Sequence, residues 1–251
     1  LKKVFETTGL KDLSKWKGNL KTLKELIGEE YGIAKKGIIP NEFLMEVSKY
    51  MPEKSVVCTD IGQNQMWAAQ SVFLKRGQRF LTQGGMGAMG SSLPLAIGAV
   101  FSQKGILAVS ISGDGGFQLN IQELQTILHH NIPVKMIVIN NGCYGMVRQF
   151  QQQYFNSNYY STKIGYSSPD FTKIADAYGI KAVKLSKKKD VKSKLKWLFS
   201  GNGPKLMEVI VEQNCPVIPK LSVNKSIDMQ EPQLAGDLNN KIDNLFDGKK
   251  S

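Results

Sequence analysis

The 251-residue chain contains 41% hydrophobic and 22% charged residues, which is typical of an ordinary α/β protein. No apolar run approaches the roughly 20 residues that a membrane-spanning helix needs, so we expect no membrane partner. The three cysteines are odd in number and far apart, which disfavours a disulfide framework and predicts a cytoplasmic protein.

The net charge of +12 at pH 7 is compatible with a nucleic-acid partner. The lysines, however, concentrate in residues 2–36 and 181–196, with few arginines or interleaved aromatic residues. Both stretches are typical of solvated helix faces. We therefore predict that the chain does not bind nucleic acid.

The first part of the chain alternates helical and strand patterns. Residues 1–36 are polar and lysine-rich, with a helical stretch near Leu20 to Ile27, and are interpreted as a linker or the tail of a preceding domain. The pattern then becomes regular. It predicts a helix at 41–50, a strand at 55–59, a helix at 65–73, a strand at 79–82, a glycine-rich turn and an apolar helix from about 91.

Two apolar runs of the kind buried on both faces follow, at 106–112 and 134–139. The helix between them has Ile121, Leu124, Ile127 and Leu128 at helical spacing. The remaining pattern predicts a helix at 171–178, a strand at 181–185, a helix at 191–199 and a strand at 205–211. We predict an α/β fold with a doubly wound, mostly parallel sheet flanked by helices, over residues 37–213. Residues 214–251 are predicted to form a tail that wraps the surface.

Polar and glycine-rich segments follow the two buried strands. Gly113-Asp114-Gly115-Gly116 ends one strand, and Asn140-Asn141 ends the next. Ligands of parallel sheets bind at the carboxyl ends of strands. A carboxylate and a side-chain carbonyl suit Mg²⁺, and the glycines bring backbone N–H groups close to a phosphate. The two segments together predict a metal-bridged diphosphate site.

A competing motif lies in the glycine-rich turn. Gly85-Met86-Gly87-Ala88-Met89-Gly90 fits the G-x-G-x-x-G pattern of dinucleotide-binding proteins and lies between a strand and a helix. Asp114 lies at about the distance where that pattern places a ribose-binding acid. That acid needs no surrounding glycines, however, and the pattern does not explain Asn140-Asn141.

Several blocks in the same order resemble one family. Residues 59–70, TDIGQNQMWAAQ, are similar to the TDxGQHQMWAAQ segment of acetohydroxyacid (acetolactate) synthase large subunits, which depend on thiamine diphosphate. Residues 84–99, 113–117, 134–141 and 145–147 match the next blocks of that family. The similarity covers roughly residues 37–211, which correspond to the cofactor-binding C-terminal third of the family's subunit.

The resemblance implies a role for each matching residue. Asp114 and Asn141 would bind Mg²⁺ through their side chains, and Cys143 through its backbone carbonyl. Met89 would hold the cofactor in a bent form. The family usually has His at the position of Asn64. The implied cofactor-binding residues are Gln63, Asn64, Gly87, Met89, Gly113, Gly115, Gly116, Asn141, Cys143, Tyr144, Gly145 and Met146.

The resemblance also implies a reaction. The family decarboxylates a 2-oxo acid, typically pyruvate, and transfers the two-carbon unit to a carbonyl acceptor. Met146 and Phe150 would line the substrate pocket, but the biosynthetic synthases have Trp at the position of Phe150. The acceptor therefore stays open between a second 2-oxo acid and a keto-sugar nucleotide. A cofactor-binding module without activity of its own is the other alternative.

Two domains of the family have no counterpart in this sequence. One carries the Glu that activates the cofactor and comes from a partner subunit, and the other binds FAD. The chain also begins without Met. We therefore expect a fragment that is inactive alone, that does not bind FAD by itself, and that belongs to a homo-oligomer.

Overall fold

A computed structural model describes residues 14–30, 37–226, 229–233 and 236–246. The chain divides into two compact units, one formed by Lys36–Val217 and the other by Leu1–Lys35 with Ile218–Ser251. The smaller unit contains the helix α1 (Ser14–Glu30), which includes the helical stretch predicted near Leu20. The predicted linker residues 1–13 and 31–36 lie outside the described residues.

The larger unit alternates helices with strands. Its helices are α2 (Pro40–Tyr50), α3 (Gln63–Ser71), α4 (Ser92–Ser102), α5 (Asp114–Gln118), α6 (Glu123–His129), α7 (Gly145–Tyr154), α8 (Phe171–Ala177) and α9 (Val191–Leu198). Its strands are β1 (Ser55–Thr59), β2 (Arg79–Thr82), β3 (Leu107–Gly113), β4 (Val134–Asn140), β5 (Lys181–Leu185) and β6 (Lys205–Ile210). The smaller unit adds β7 (Lys220–Leu221), β8 (Gln230–Glu231) and α10 (Gly236–Phe246).

The six strands of the larger unit form one sheet in the order β2-β1-β3-β4-β6-β5. Every neighbouring pair is parallel. This confirms the predicted α/β fold with helices on a parallel sheet. The continuous apolar runs lie in the centre of the sheet, where both faces are covered and nearly every residue is buried.

Helices cover both faces of the sheet. Alternate strand residues such as Val57, Val109 and Ile137 pack with α2, α3 and α9, whereas Val56, Ala108 and Met136 pack with α4, α6 and α8. The period of two along each strand therefore divides the apolar residues between two cores. Because the strands are parallel, β1, β3 and β4 all end at the same edge, followed by Asp60, Asp114 and Asn141.

The structure contains helices that the sequence did not predict. No helix was predicted between residues 140 and 170, but α7 lies there and ends at Tyr154. The tail beyond residue 213 contains the helix α10. Elsewhere the helix and strand ends shift by a residue or two, as at α3, predicted to start at residue 65 and observed from Gln63.

Candidate functional site

A cavity of about 290 Å³ opens at the carboxyl ends of β1, β3 and β4. The starts of α3 and α7 border it, so the N–H groups of two first helical turns lie beside it. Its lining residues are Ile61, Gly62, Gln63, Asn64, Trp67, Met89, Gly113, Asp114, Gly115, Gly116, Ile139, Asn141, Cys143, Tyr144, Gly145, Met146 and Val147.

Most of the residues predicted from the sequence lie around this cavity. The exceptions are Gly87 and Phe150, which do not line it. Gly87 belongs to the exposed turn after β2 and has a φ of 67°, a backbone conformation that favours glycine. Phe150 is 46% exposed, and its ring lies 4.6 Å from that of Tyr154 and 5.9 Å from that of Phe155. It belongs to an aromatic cluster on the outer part of α7.

Both ends of the Asn141 carboxamide lie beside oxygen atoms of neighbouring residues. One end lies 3.3 Å from Asp114 Oδ1 and 2.8 Å from the Cys143 carbonyl oxygen, and the other lies 2.9 Å from Gln63 Oε1. Either orientation of the carboxamide therefore points its oxygen at another oxygen. In the structure the nitrogen bonds to Gln63, so the Asn141 oxygen faces Asp114 and Cys143. Three oxygens that converge in this way form a donor set for a hard cation.

Tyr166 is a partner of Asp114 that the sequence did not reveal. Asp114 is 2% exposed, and its Oδ2 accepts a 2.8 Å hydrogen bond from the Tyr166 hydroxyl. Burial raises the pKa of Asp114 to about 6, although the bond from Tyr166 opposes that shift. Burial also raises the pKa of Tyr166. The tyrosine holds one carboxylate oxygen, and Oδ1 remains directed at Asn141.

Asp60 is a second residue that sequence reasoning passed over. It follows the fully buried strand β1, and its Oδ1 accepts a 2.6 Å bond from Asn64 Nδ2. Its Oδ2 accepts a 3.0 Å bond from Gly90 N, which ties the glycine-rich turn to the sheet. Burial raises the pKa of Asp60 to about 6. The sequence did contain a signal for Asp60, because it is an acidic residue directly after a buried strand, at the same edge of the sheet as Asp114.

Asn64 uses its side chain inside the protein. Its Nδ2 donates to Asp60 Oδ1 and, at 3.2 Å, to the backbone oxygen of Ile111. A carboxamide has two N–H hydrogens, and both are engaged by these bonds. Any contact from Asn64 to a bound phosphate would therefore come from its backbone N–H at the start of α3.

Glycines in the first turns of α5 and α7 pack closely against neighbouring side chains. A Cβ at Gly115 would lie 2.9 Å from Cδ1 of Tyr144, and one at Gly116 would overlap the carboxylate of Asp60. A Cβ at Gly145 would lie 2.6 Å from Asn141 Nδ2. Atoms at these separations overlap, so a larger residue at any of these positions requires the neighbouring side chain to move.

Comparison with known proteins places this geometry in a family. The family model described as "Thiamine pyrophosphate enzyme, C-terminal TPP binding domain" matches residues 60–209, which run from Asp60 through Asp114 and Asn141 to β6. The chain belongs to this family. The parallel sheet is therefore that of a C-terminal domain of the thiamine pyrophosphate enzymes.

The family's closely similar members include acetolactate synthases, as the resemblance of the sequence blocks predicted. The chain is 38% identical to the acetolactate synthase large subunit of Cyanidium caldarium over 189 residues, 75% of this chain and 32% of that protein. It is 38% identical to that of Pyropia yezoensis over 212 residues, 82% of this chain and 35% of that protein. A probable acetolactate synthase large subunit of Methanocaldococcus jannaschii is 37% identical over 218 residues, 84% of this chain and 37% of that protein. The chain spans about a third of the length of these relatives.

No helix in the described part of the chain is long and apolar enough to cross a membrane. Within the same residues, no three His, Cys, Asp or Glu side chains are grouped to hold a metal ion. A cation at this site would therefore depend on amide and backbone oxygens as well as on Asp114.

Proposed function

We propose that this domain binds thiamine diphosphate through a Mg²⁺ ion held by the Asp114 and Asn141 side chains and the Cys143 carbonyl oxygen. The observation that carries the proposal is the convergence of these three oxygens, 3.3 Å and 2.8 Å from one end of Asn141. Such oxygens repel one another, and a divalent cation between them turns that repulsion into coordination.

Backbone N–H groups beside the cavity would hold the diphosphate. Helices α3 and α7 begin at its edge with Gln63 and Gly145, and a helix N-terminus attracts anions through its free N–H groups. Gly115 and Gly116 let the chain come close to the phosphates. Met89, which lines the cavity and is 37% exposed, would support the bent form of the cofactor.

The bound cofactor would supply the nucleophilic carbon and a base of its own, and the protein would supply position and a dry site. We propose that the whole enzyme decarboxylates pyruvate or a similar 2-oxo acid and transfers the two-carbon unit to a carbonyl acceptor. The similarity to acetolactate synthases over three quarters of the chain supports this reaction. Met146 lines the cavity and would contact the substrate.

The acceptor is a separate question, because Phe150 stands where the biosynthetic synthases have Trp. Phe150 does not line the cavity and is 46% exposed, so it would act on the acceptor from outside the cavity. A phenyl ring fills less space than an indole and lacks its N–H group, and a keto-sugar nucleotide is the second candidate acceptor. An assay of the full-length protein for acetolactate, run beside pyruvate consumption with keto-sugar acceptors, would separate the two.

Other parts of the enzyme would complete the reaction. We propose that an activating Glu comes from a separate N-terminal domain of a partner subunit in a homo-oligomer, and that FAD, where used, binds outside this chain. On this proposal the 251-residue chain binds the cofactor but does not turn over pyruvate. Measurable decarboxylation by the purified chain would contradict it.

Isothermal titration tests the metal site directly. The chain is expected to bind thiamine diphosphate in the presence of Mg²⁺ and to lose most of that affinity in EDTA. Asp114→Asn removes the only charged ligand and should weaken Mg²⁺ binding by at least tenfold. Asp176→Asn, on α8 away from the cavity, is the matched control and should bind as the wild type does. Equal binding with and without Mg²⁺ would refute the metal site.

A further inference from the structure

Gln149 on α7 is held by both backbone groups of Val217. Its Oε1 accepts a 2.9 Å bond from Val217 N, and its Nε2 donates a 3.0 Å bond to Val217 O. A backbone N–H only donates and a backbone C=O only accepts. These two bonds therefore fix which end of the Gln149 carboxamide carries the oxygen. The side chain is 8% exposed, so water does not offer an alternative partner.

The fixed oxygen of Gln149 in turn orients Gln63. Gln63 Nε2 donates to Gln149 Oε1 at 2.9 Å and to the backbone oxygen of Cys215 at 3.1 Å. Both partners are acceptors, so the nitrogen of Gln63 must face them. Gln63 Oε1 then points in the opposite direction, where Asn141 lies.

Asn141 is the last residue of the series. Its Nδ2 donates to Gln63 Oε1 at 2.9 Å, and this bond leaves only the Asn141 oxygen to face Asp114 and Cys143. With the opposite orientation, the nitrogen would bond to Asp114 and Cys143 and could not bind a cation. The orientation of one buried amide thus decides whether this end of the site offers an oxygen.

We propose that Gln149 is a positioning residue that sets, through Gln63, the orientation of the Asn141 carboxamide. We call Gln149, Gln63 and Asn141 the amide relay. Through the relay, the backbone groups of Val217 determine the orientation of Asn141, a proposed metal ligand to which Gln149 forms no hydrogen bond. This inference rests on the proposed function, because it assigns a role in Mg²⁺ binding.

The first test replaces Gln149 with a side chain of similar size that lacks the amide. Mg²⁺ is titrated into the chain at saturating thiamine diphosphate. Gln149→Leu is expected to weaken Mg²⁺ binding by about 10- to 100-fold, the usual effect of losing a partner behind a metal ligand. Gln125→Leu, the same substitution at an exposed position on α6, is the control. None of the hydrogen bonds of the relay involves Gln125, so the affinity of this variant should stay within about twofold of wild type.

A second experiment, made in the Asn141→Asp variant, separates a change in the orientation of the residue 141 side chain from a general disruption of the site. The side chain introduced by Asn141→Asp has two equivalent oxygens, so its orientation no longer matters. In that background, Gln149→Leu is expected to cause no further loss of Mg²⁺ affinity. The same factor of loss in both backgrounds would show that Gln149 acts only on the stability of the fold, and would overturn the relay.

A measurement without metal distinguishes failure of the relay from failure of the proposed function. If the wild-type chain does not bind Mg²⁺, the proposed metal site is wrong. The relay is then read from the side-chain ¹⁵N–¹H₂ resonances of Asn141 in the metal-free chain. Gln149→Leu should shift these resonances and speed the exchange of their hydrogens with water, whereas Gln125→Leu should not. Unchanged Asn141 resonances in Gln149→Leu would overturn the relay.

Discussion

Gly145, in the first turn of α7, packs against two members of the amide relay, Gln63 and Asn141. A Cβ there would overlap Gln63 Oε1 and lie 2.6 Å from Asn141 Nδ2. Gly145→Ala is therefore expected to displace both amides and to weaken Mg²⁺-dependent cofactor binding at least tenfold, as measured by titration. Gly98→Ala in α4 is the matched control, because nothing lies within 4 Å of its new Cβ. It should leave binding unchanged and stabilise the helix by about 0.5–1 kcal/mol. Equal binding by both variants would disprove the steric argument.

Asp60 predicts how stability depends on pH. Burial raises its pKa in the folded chain to about 6, from an ordinary value of 3.8. The folded state then binds the Asp60 proton more tightly than the unfolded state does. Protonation of Asp60 therefore contributes fully to the free energy of unfolding below pH 3.8, and this contribution is lost as the pH rises through 6. The free energy of unfolding should fall over that range, by up to about 1.4 kcal/mol per pH unit.

Denaturant titrations of the metal-free chain between pH 4 and 7 measure this contribution. Asp114 shifts in the same direction, so the wild-type slope contains both residues. Asp60→Asn should remove part of the slope. An identical slope in the wild type and the variant would show that Asp60 does not titrate in this range.

At the scale of residues, the sequence predicted those that a local motif contains. Asp114, Asn141 and Cys143 stand in short segments that follow buried strands, and they do converge. Tyr166 and Gln149 could not be predicted. Tyr166 reaches Asp114 across 52 positions, and Gln149 reaches Val217 across 68. Neither separation leaves a pattern in the sequence, because such contacts depend on how loops fold back on the sheet.

At the scale of elements, strands were easier to predict than α7. The central strands are largely apolar runs, and β1, β2 and β5 were predicted with their observed bounds. The buried residues of α7 are Gly145, Arg148 and Gln149, whereas its apolar residues at helical spacing, Met146, Val147, Phe150 and Tyr154, are exposed. The inward face is polar because Gln149 bonds to Gln63 and to the backbone of Val217.

The sheet carries a stabilising contact near the start of β4 and the candidate site at the carboxyl ends of its strands. Lys135, near the start of β4, is fully buried, and its Nζ donates to the carbonyl oxygens of Gly201 at 2.9 Å and Gly203 at 2.7 Å. Lys135→Met leaves both carbonyls without this donor and should lower the free energy of unfolding by about 1–3 kcal/mol. Mg²⁺ affinity should not change, because the site lies at the other end of the strand.

Chemical denaturation and Mg²⁺ titration together check this separation of stability from binding. Lys173→Met, at an exposed position on α8, is the control and should change neither quantity. A large loss of Mg²⁺ affinity in Lys135→Met would show that the two ends of the sheet are coupled.

At the scale of the whole molecule, every residue assigned to the site lies between residues 36 and 217. A protein consisting of Lys36–Val217 should therefore bind thiamine diphosphate and Mg²⁺ with the affinity of the 251-residue chain. Titration of the two proteins side by side measures this. Loss of binding by a shortened protein whose circular dichroism spectrum and unfolding transition are intact would mean that the site requires residues outside this unit.

The packing of Gly116 against Asp60 also has a consequence for how these sequences diverge. A Cβ at residue 116 would occupy the space of the Asp60 carboxylate. A substitution of Gly116 therefore requires a change at residue 60, although the two positions are far apart along the chain. In related proteins, a side chain at the position of Gly116 should be accompanied by a smaller residue at that of Asp60. Gly90, whose N–H bonds to Asp60, would then need a new hydrogen-bond partner in the same lineages.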